Sequence, residues 1–76
     1  MNFQEFIRSK GLTQTQLADA MGFHRAHISK WATGEVLPHP NSINNIVEGF
    51  ASLGIKVTYE EVFAALLVTK KQKESA

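Results

Sequence analysis

Apolar residues recur along this chain at three- and four-residue intervals, in short runs divided by glycine or proline. No stretch alternates with the period of two that a half-buried strand requires, so five helices are predicted. The first runs from about Asn2 to Lys10, with Phe3, Phe6 and Ile7 at helical spacing, and Gly11 stops it. Thr13 caps the second, and Gln16 three residues on completes a capping box. Leu17, Ala18 and Met21 are its inner residues, and Gly22 ends it. Phe23 anchors the turn into a third helix, roughly Arg25 to Thr33, which Gly34 closes.

Glu35 to Pro40 reads as a loop, because Pro38 and Pro40 cannot sit inside a helix. A fourth helix starts near Asn41 or Ser42, both good caps. Its apolar stripe is Ile43, Ile46, Val47, Phe50 and Leu53, with Asn44, Asn45, Glu48 and Ser52 facing outward. Gly49 within that stripe costs about 1 kcal/mol in helix propensity and permits close packing. Thr58 and Glu61 form a second capping box, opening a fifth helix from Tyr59 to about Lys70. Tyr59, Val62, Phe63 and Leu66 form its inner stripe, Leu67 lies at the edge, and Ala64 and Val68 lie opposite. The expected division is one folded domain over residues 1–69 and a polar, basic tail over 70–76.

The second and third helices carry the chemistry. A short capped helix, a glycine turn and a second helix make the bihelical unit that lays one helix in the major groove of DNA. Ala18 is small enough for the pair to approach closely, and Ile28 and Trp31 pin the third helix to the core. On a helical wheel Ala26, Ser29, Lys30 and Thr33 point away from that side, with Arg25 on the flank. A guanidinium, an ammonium, a hydroxyl and a methyl are the groups that read guanine edges and the thymine methyl.

Composition narrows the picture. With 76 residues and 43% hydrophobic content the chain makes one domain around one core. It buries roughly 60% of its extended surface, so its stability is modest. There is no cysteine, which fits a reducing cytoplasm, and no apolar run approaches the ~20 residues of a membrane span. The start, MNFQEFIRSK, carries charges inside its apolar pattern and does not read as a signal peptide. Net charge is only +1, but its distribution is uneven. Glu5, Asp19, Glu35, Glu48, Glu60, Glu61 and Glu74 leave the stretch from Ala20 to Gly34 free of acid, with Arg25 and Lys30 inside it.

On the runs GLTQTQLADAMG, HISKWATG and SINNIVEGFASLGIKVTYEEVF the chain resembles the Cro and cI-type family of phage repressors, the XRE-like helix-turn-helix family. The likeness covers nearly all of residues 5–66. It implies an all-α, five-helix, lambda-repressor-like DNA-binding domain whose helix-turn-helix is helices two and three. It also implies that Gln14 contacts a backbone phosphate and that Arg25, Ala26 and Lys30 reach bases. Ser29 and Thr33 then lie beside bases or phosphates, Ser29 on the base side and Thr33 on the phosphate side, while His24 can donate to a phosphate through its own ring. Two departures stand out. Family members often pair an arginine in helix one with a glutamate after the tryptophan position, where this chain has Ile7 and Ala32. Both halves are absent together, so no buried charge is stranded. His24 stands where a serine or threonine usually caps the recognition helix.

Other readings are weaker. His24, His27 and His39 have no cysteine partners and no compact ligand spacing, so neither a metal nor any other cofactor is expected. Ser29 has no third group to make a catalytic pair, and nothing suggests an enzyme. Trp31 belongs to the core rather than to a base stack. The expected function is that of a Cro-like repressor binding a two-fold related operator in double-stranded DNA as a homodimer. Ala64, Leu67 and Val68 are the candidate dimer contact. The alternatives are an antitoxin-type autorepressor that also binds a toxin, and a protein-interaction adaptor using the same fold without DNA.

Overall fold

The computed structural model describes residues 1–75, and these contain five helices and no strand. They are α1 (Phe3–Ser9), α2 (Gln14–Met21), α3 (Arg25–Thr33), α4 (Pro40–Ser52) and α5 (Tyr59–Ser75). Their starts follow side-chain chemistry. The Thr13 hydroxyl accepts from the Gln16 N–H while the Gln16 amide oxygen accepts from the Thr13 N–H, and Thr58 and Glu61 do the same for α5. A third box, between Asn2 and Glu5, opens α1.

Three boundaries differ from the sequence expectation. Helix α4 begins at Pro40, not at Asn41 or Ser42, and its cap is His39, whose Nδ1 accepts from the Asn41 N–H at 3.1 Å. Pro40 is tolerated because the first helical N–H has no intrahelical acceptor to lose. Helix α5 runs through the expected tail to Ser75 rather than ending near Lys70. Its last turns have something to pack on, since Lys73 lies over Gly34 and the Gln72 amide oxygen accepts from Asn2 Nδ2 at 3.3 Å. Finally, α1 starts at Phe3, with Asn2 as its cap.

Phe3, Ile7, Leu17, Ile28, Ile43, Ile46, Phe50, Val62 and Leu66 are fully buried and draw all five helices onto one core. Phe6 meets Phe50 edge-on at 5.7 Å. Leu53, expected in the α4 stripe, is exposed, because it falls at the C-cap where the helix leaves the core. Phe63, expected inside, is 37% exposed and stacks on Tyr59 at 6.3 Å; Ala65 is buried in its stead. Val62, Ala65, Leu66 and Thr69 form the buried face of α5, and that face leaves Phe63 outward.

Close approaches fix how the helices sit. A Cβ on Gly49 would stand 2.6 Å from Met21 Cγ, so with any other residue the Met21 side chain would have to shift for α4 to lie this close to α2. Gly34 is buried with φ +82°, and a Cβ there would meet both Lys73 Cβ and the Thr69 carbonyl oxygen at 2.8 Å. The glycine therefore ends α3 and also admits α5. Thr69 is the buried polar residue of the core. Its hydroxyl accepts from the Phe3 N–H at 2.7 Å and donates to the Ala65 carbonyl at 2.9 Å, so both of its hydrogen-bonding roles are filled.

Candidate nucleic-acid interface

Helix α3 buries Ile28 and Trp31 and leaves His24, Arg25, Ala26, Lys30 and Thr33 exposed, with Ser29 half-buried. Phe23 holds the turn in place. Its ring lies 5.9 Å from Trp31 and meets His27 edge-on at 5.6 Å, while its N–H donates to the Ala18 carbonyl at 2.9 Å. Ala18 is buried between the two helices. The outer face of α3 is thus mounted on a packed base, with Arg25, Ala26 and Lys30 exposed on it and Ser29 half-buried at its edge.

The start of α3 has no side-chain cap: His24 makes no capping hydrogen bond and instead stacks with His27 at 6.1 Å. Its first turn contains no acid. Unclaimed N–H groups at a helix start attract anions, and Arg25, the first residue of the helix, adds to that field. No described carboxylate lies within ion-pair distance of Arg8, Arg25 or Lys30; the ion pair found, Lys70 to Glu74 at 4.0 Å, is on α5. Thr33 donates its hydroxyl proton to the Lys30 carbonyl at 3.2 Å, which leaves the oxygen able to accept but turns the proton inward.

Gln14 is half-buried at the head of α2. Its Nε2 donates to Gln4 Oε1 at 2.6 Å, and its Oε1 is buried with no hydrogen-bond partner. It opens onto a cleft of about 280 Å³ lined by Gln4, Arg8, Leu12, Thr13, Gln14, Thr15 and Arg25. The structure therefore brings Gln14 and Arg25 together, as expected of neighbouring contacts on one DNA face. It also adds two residues from α1, Gln4 and Arg8, that the sequence reading did not include. Their one sequence signal is that they stand four apart, on the same side of α1.

Ala64 is exposed on α5, while Leu67 and Val68 are half-buried, so the latter two are partly occupied with their own fold. Among the described residues no group of three or more His, Cys, Asp or Glu is placed to hold a metal ion. No described helix is long and apolar enough to cross a membrane.

The family model described as helix-turn-helix matches residues 4–51, the stretch holding α2, α3 and all but one residue each of α1 and α4. No curated protein and no solved structure matches the chain.

Proposed function

The chain belongs to the helix-turn-helix family, of the Cro/cI or XRE type, and is a DNA-binding transcription regulator; from that premise we propose that it is a Cro-like repressor. It binds a two-fold related operator as a homodimer and acts by covering promoter DNA.

The observation that carries this reading is the outer face of α3. It presents Arg25, Ala26, Ser29 and Lys30 with no described carboxylate within ion-pair distance of either cation. Arg25 reads a guanine through O6 and N7, Ala26 favours a neighbouring thymine methyl, and Lys30 takes a second guanine or a phosphate. Gln14 and His24 hold the backbone and set register without adding sequence information, and Thr33 joins them only when its hydroxyl proton turns from the Lys30 carbonyl to a phosphate.

Two considerations support dimerisation. One such domain buries only about 600–1,000 Å² on DNA, too little for high specificity alone. Tyr59, Phe63 and Leu67 are four apart along α5, and Ala64 and Val68 run beside them. Phe63 being exposed enlarges the apolar face to which Ala64, Leu67 and Val68 belong. The molecule measures 34 × 23 × 22 Å, and two-fold readers of this kind place their half-sites one DNA turn, about 34 Å, apart. In-vitro selection of duplexes that bind the protein tests the whole reading. It is expected to return an inverted repeat whose half-sites are one helical turn apart; an unpaired, single half-site consensus would contradict the dimer.

A further inference from the structure

We propose that Lys73, in the last turns of α5, is a further DNA-contacting residue: its ammonium meets a backbone phosphate beside the C-terminal end of the recognition helix α3. The proposal rests on the DNA-binding reading and extends the interface to α5, which lies outside the matched residues 4–51.

Packing, rather than a frayed end, places this lysine. Gly34 closes α3 and is buried under α5, with the Lys73 Cβ 2.8 Å from where a glycine Cβ would stand. The same turns of α5 are held by α1: the Gln72 amide oxygen accepts from Asn2 Nδ2 at 3.3 Å, and the Thr69 hydroxyl accepts from the Phe3 N–H at 2.7 Å. Lys73 itself is exposed, so its base is fixed and its tip is in solvent. Thr33 and Gly34 are neighbours with Cα atoms ~3.8 Å apart, and a lysine ammonium reaches roughly 5 Å beyond its Cβ. The ammonium can therefore stand beside exposed Thr33, at the edge of the outer face of α3.

Charge gives that position a task. The last carbonyls of a helix carry partial negative charge, so a phosphate approaching this end of α3 is repelled unless a cation stands by. The Gly34 N–H caps the Lys30 and Trp31 carbonyls, but those of Ala32 and Thr33 have no donor within the helix. The Thr33 hydroxyl gives its proton to the Lys30 carbonyl at 3.2 Å, so it offers a phosphate no donor in this arrangement. Lys30, in the same turn, is committed to a guanine or to a phosphate of its own. Lys73 has no described carboxylate within ion-pair distance: Glu74 is turned to Lys70 at 4.0 Å, and Glu35, which follows Gly34, makes no pair with it. A cation with an anchored base loses less freedom on meeting a phosphate than one on a loose tail. Lys71, two residues away, projects about 200° round the helix from Lys73 and is the natural comparison.

The test has two arms, both with the full chain. In the first, binding to a random-sequence duplex and to a selected duplex is measured from about 50 to 300 mM KCl for wild type, Lys73→Gln and Lys71→Gln. Lys73→Gln keeps most of the stem over Gly34 and removes the charge. It is expected to weaken both duplexes by roughly fivefold and to lower the slope of log affinity on log salt by about 1, with base preference unchanged. Lys71→Gln removes the same charge from the other side of α5 and should leave the slope nearly as it was. In the second arm each phosphate of one half-site is replaced in turn by a neutral methylphosphonate. One position is expected to weaken wild type while weakening Lys73→Gln no further, which identifies the phosphate that Lys73 meets. Equal slope losses in the two variants would reduce the effect to diffuse charge on the helix and overturn the proposal. So would a Lys73→Gln protein that melts earlier but keeps the wild-type slope, since the lysine would then serve only the dipole of α3. Additive losses at every methylphosphonate would also overturn it. A wild type that binds no duplex even at about 50 mM KCl overturns the DNA-binding reading and this contact with it, an outcome distinct from the others. Circular dichroism shows that the variants compared are folded.

Discussion

Arg25 opens α3 and faces solvent, so its loss should change binding without changing the fold. Arg25→Ala is expected to cost roughly 1–3 kcal/mol on a selected duplex and to relax preference at one position per half-site. Gln14→Ala should weaken selected and random duplexes alike. Titrations on the two duplexes separate these effects, and an Arg25→Ala variant that loses both affinities equally would reassign Arg25 to the backbone. A second residue-scale contrast lies in two glycines that end helices with positive φ. Gly22 at +71° has open space around its missing Cβ, so Gly22→Ala should cost about 1 kcal/mol, the left-handed penalty alone. Gly34 at +82° meets the Thr69 carbonyl and Lys73 as well, so Gly34→Ala should cost about 3 kcal/mol or more. Equal losses in urea melts would mean that α5 does not press on Gly34. Ile7 is fully buried, and Ile7→Arg should cost about 3 kcal/mol by burying an unpaired charge. Ala32 is half-buried against the same core, so adding Ala32→Glu should recover part of that loss. A double variant no more stable than Ile7→Arg would separate the two positions.

At the scale of elements, what could be read in advance was what is local. The Thr13–Gln16 and Thr58–Glu61 boxes and the glycines after α2 and α3 act within four residues, and each stands where the sequence placed it. What was misread depends on residues far apart in the chain. The end of α5 is held by Asn2 and Gly34, and nothing near Lys70 announces that. Phe63 is exposed and Ala65 buried because an apolar helix fits two stripes equally well until its neighbours choose one. The Gln4–Gln14 pair spans ten residues and two helices, so the cleft had no local signature. Thr69 shows how far such a contact reaches, since its hydroxyl ties α5 to the first N–H of α1. Thr69→Val leaves that N–H buried and unpaired and should cost about 1–3 kcal/mol. Hydrogen exchange at Phe3 should quicken in the variant, whereas unaltered exchange and stability would show the clip to be incidental.

For the whole molecule, the five helices leave two surfaces with different chemistry. One carries Arg8, Arg25 and Lys30 with no described carboxylate in ion-pair distance, and the other is the apolar α5 face with Phe63 exposed. The first suits a polyanion and the second suits another copy. Replacing Phe63 and Leu67 together with Lys should give a folded monomer by light scattering, with much weaker binding to an inverted repeat. A monomeric wild type on that duplex would remove the dimer. The central claim is that α3 reads base edges, and the ratio of affinities for a selected and a random duplex at one salt concentration measures this most directly. Wild type should prefer the selected duplex by at least about a thousandfold, the low end for specific regulators. Arg25→Ala should shrink that ratio while leaving random-duplex binding nearly intact. A ratio near one for the wild type, or a ratio that Arg25→Ala leaves unchanged, would contradict the account.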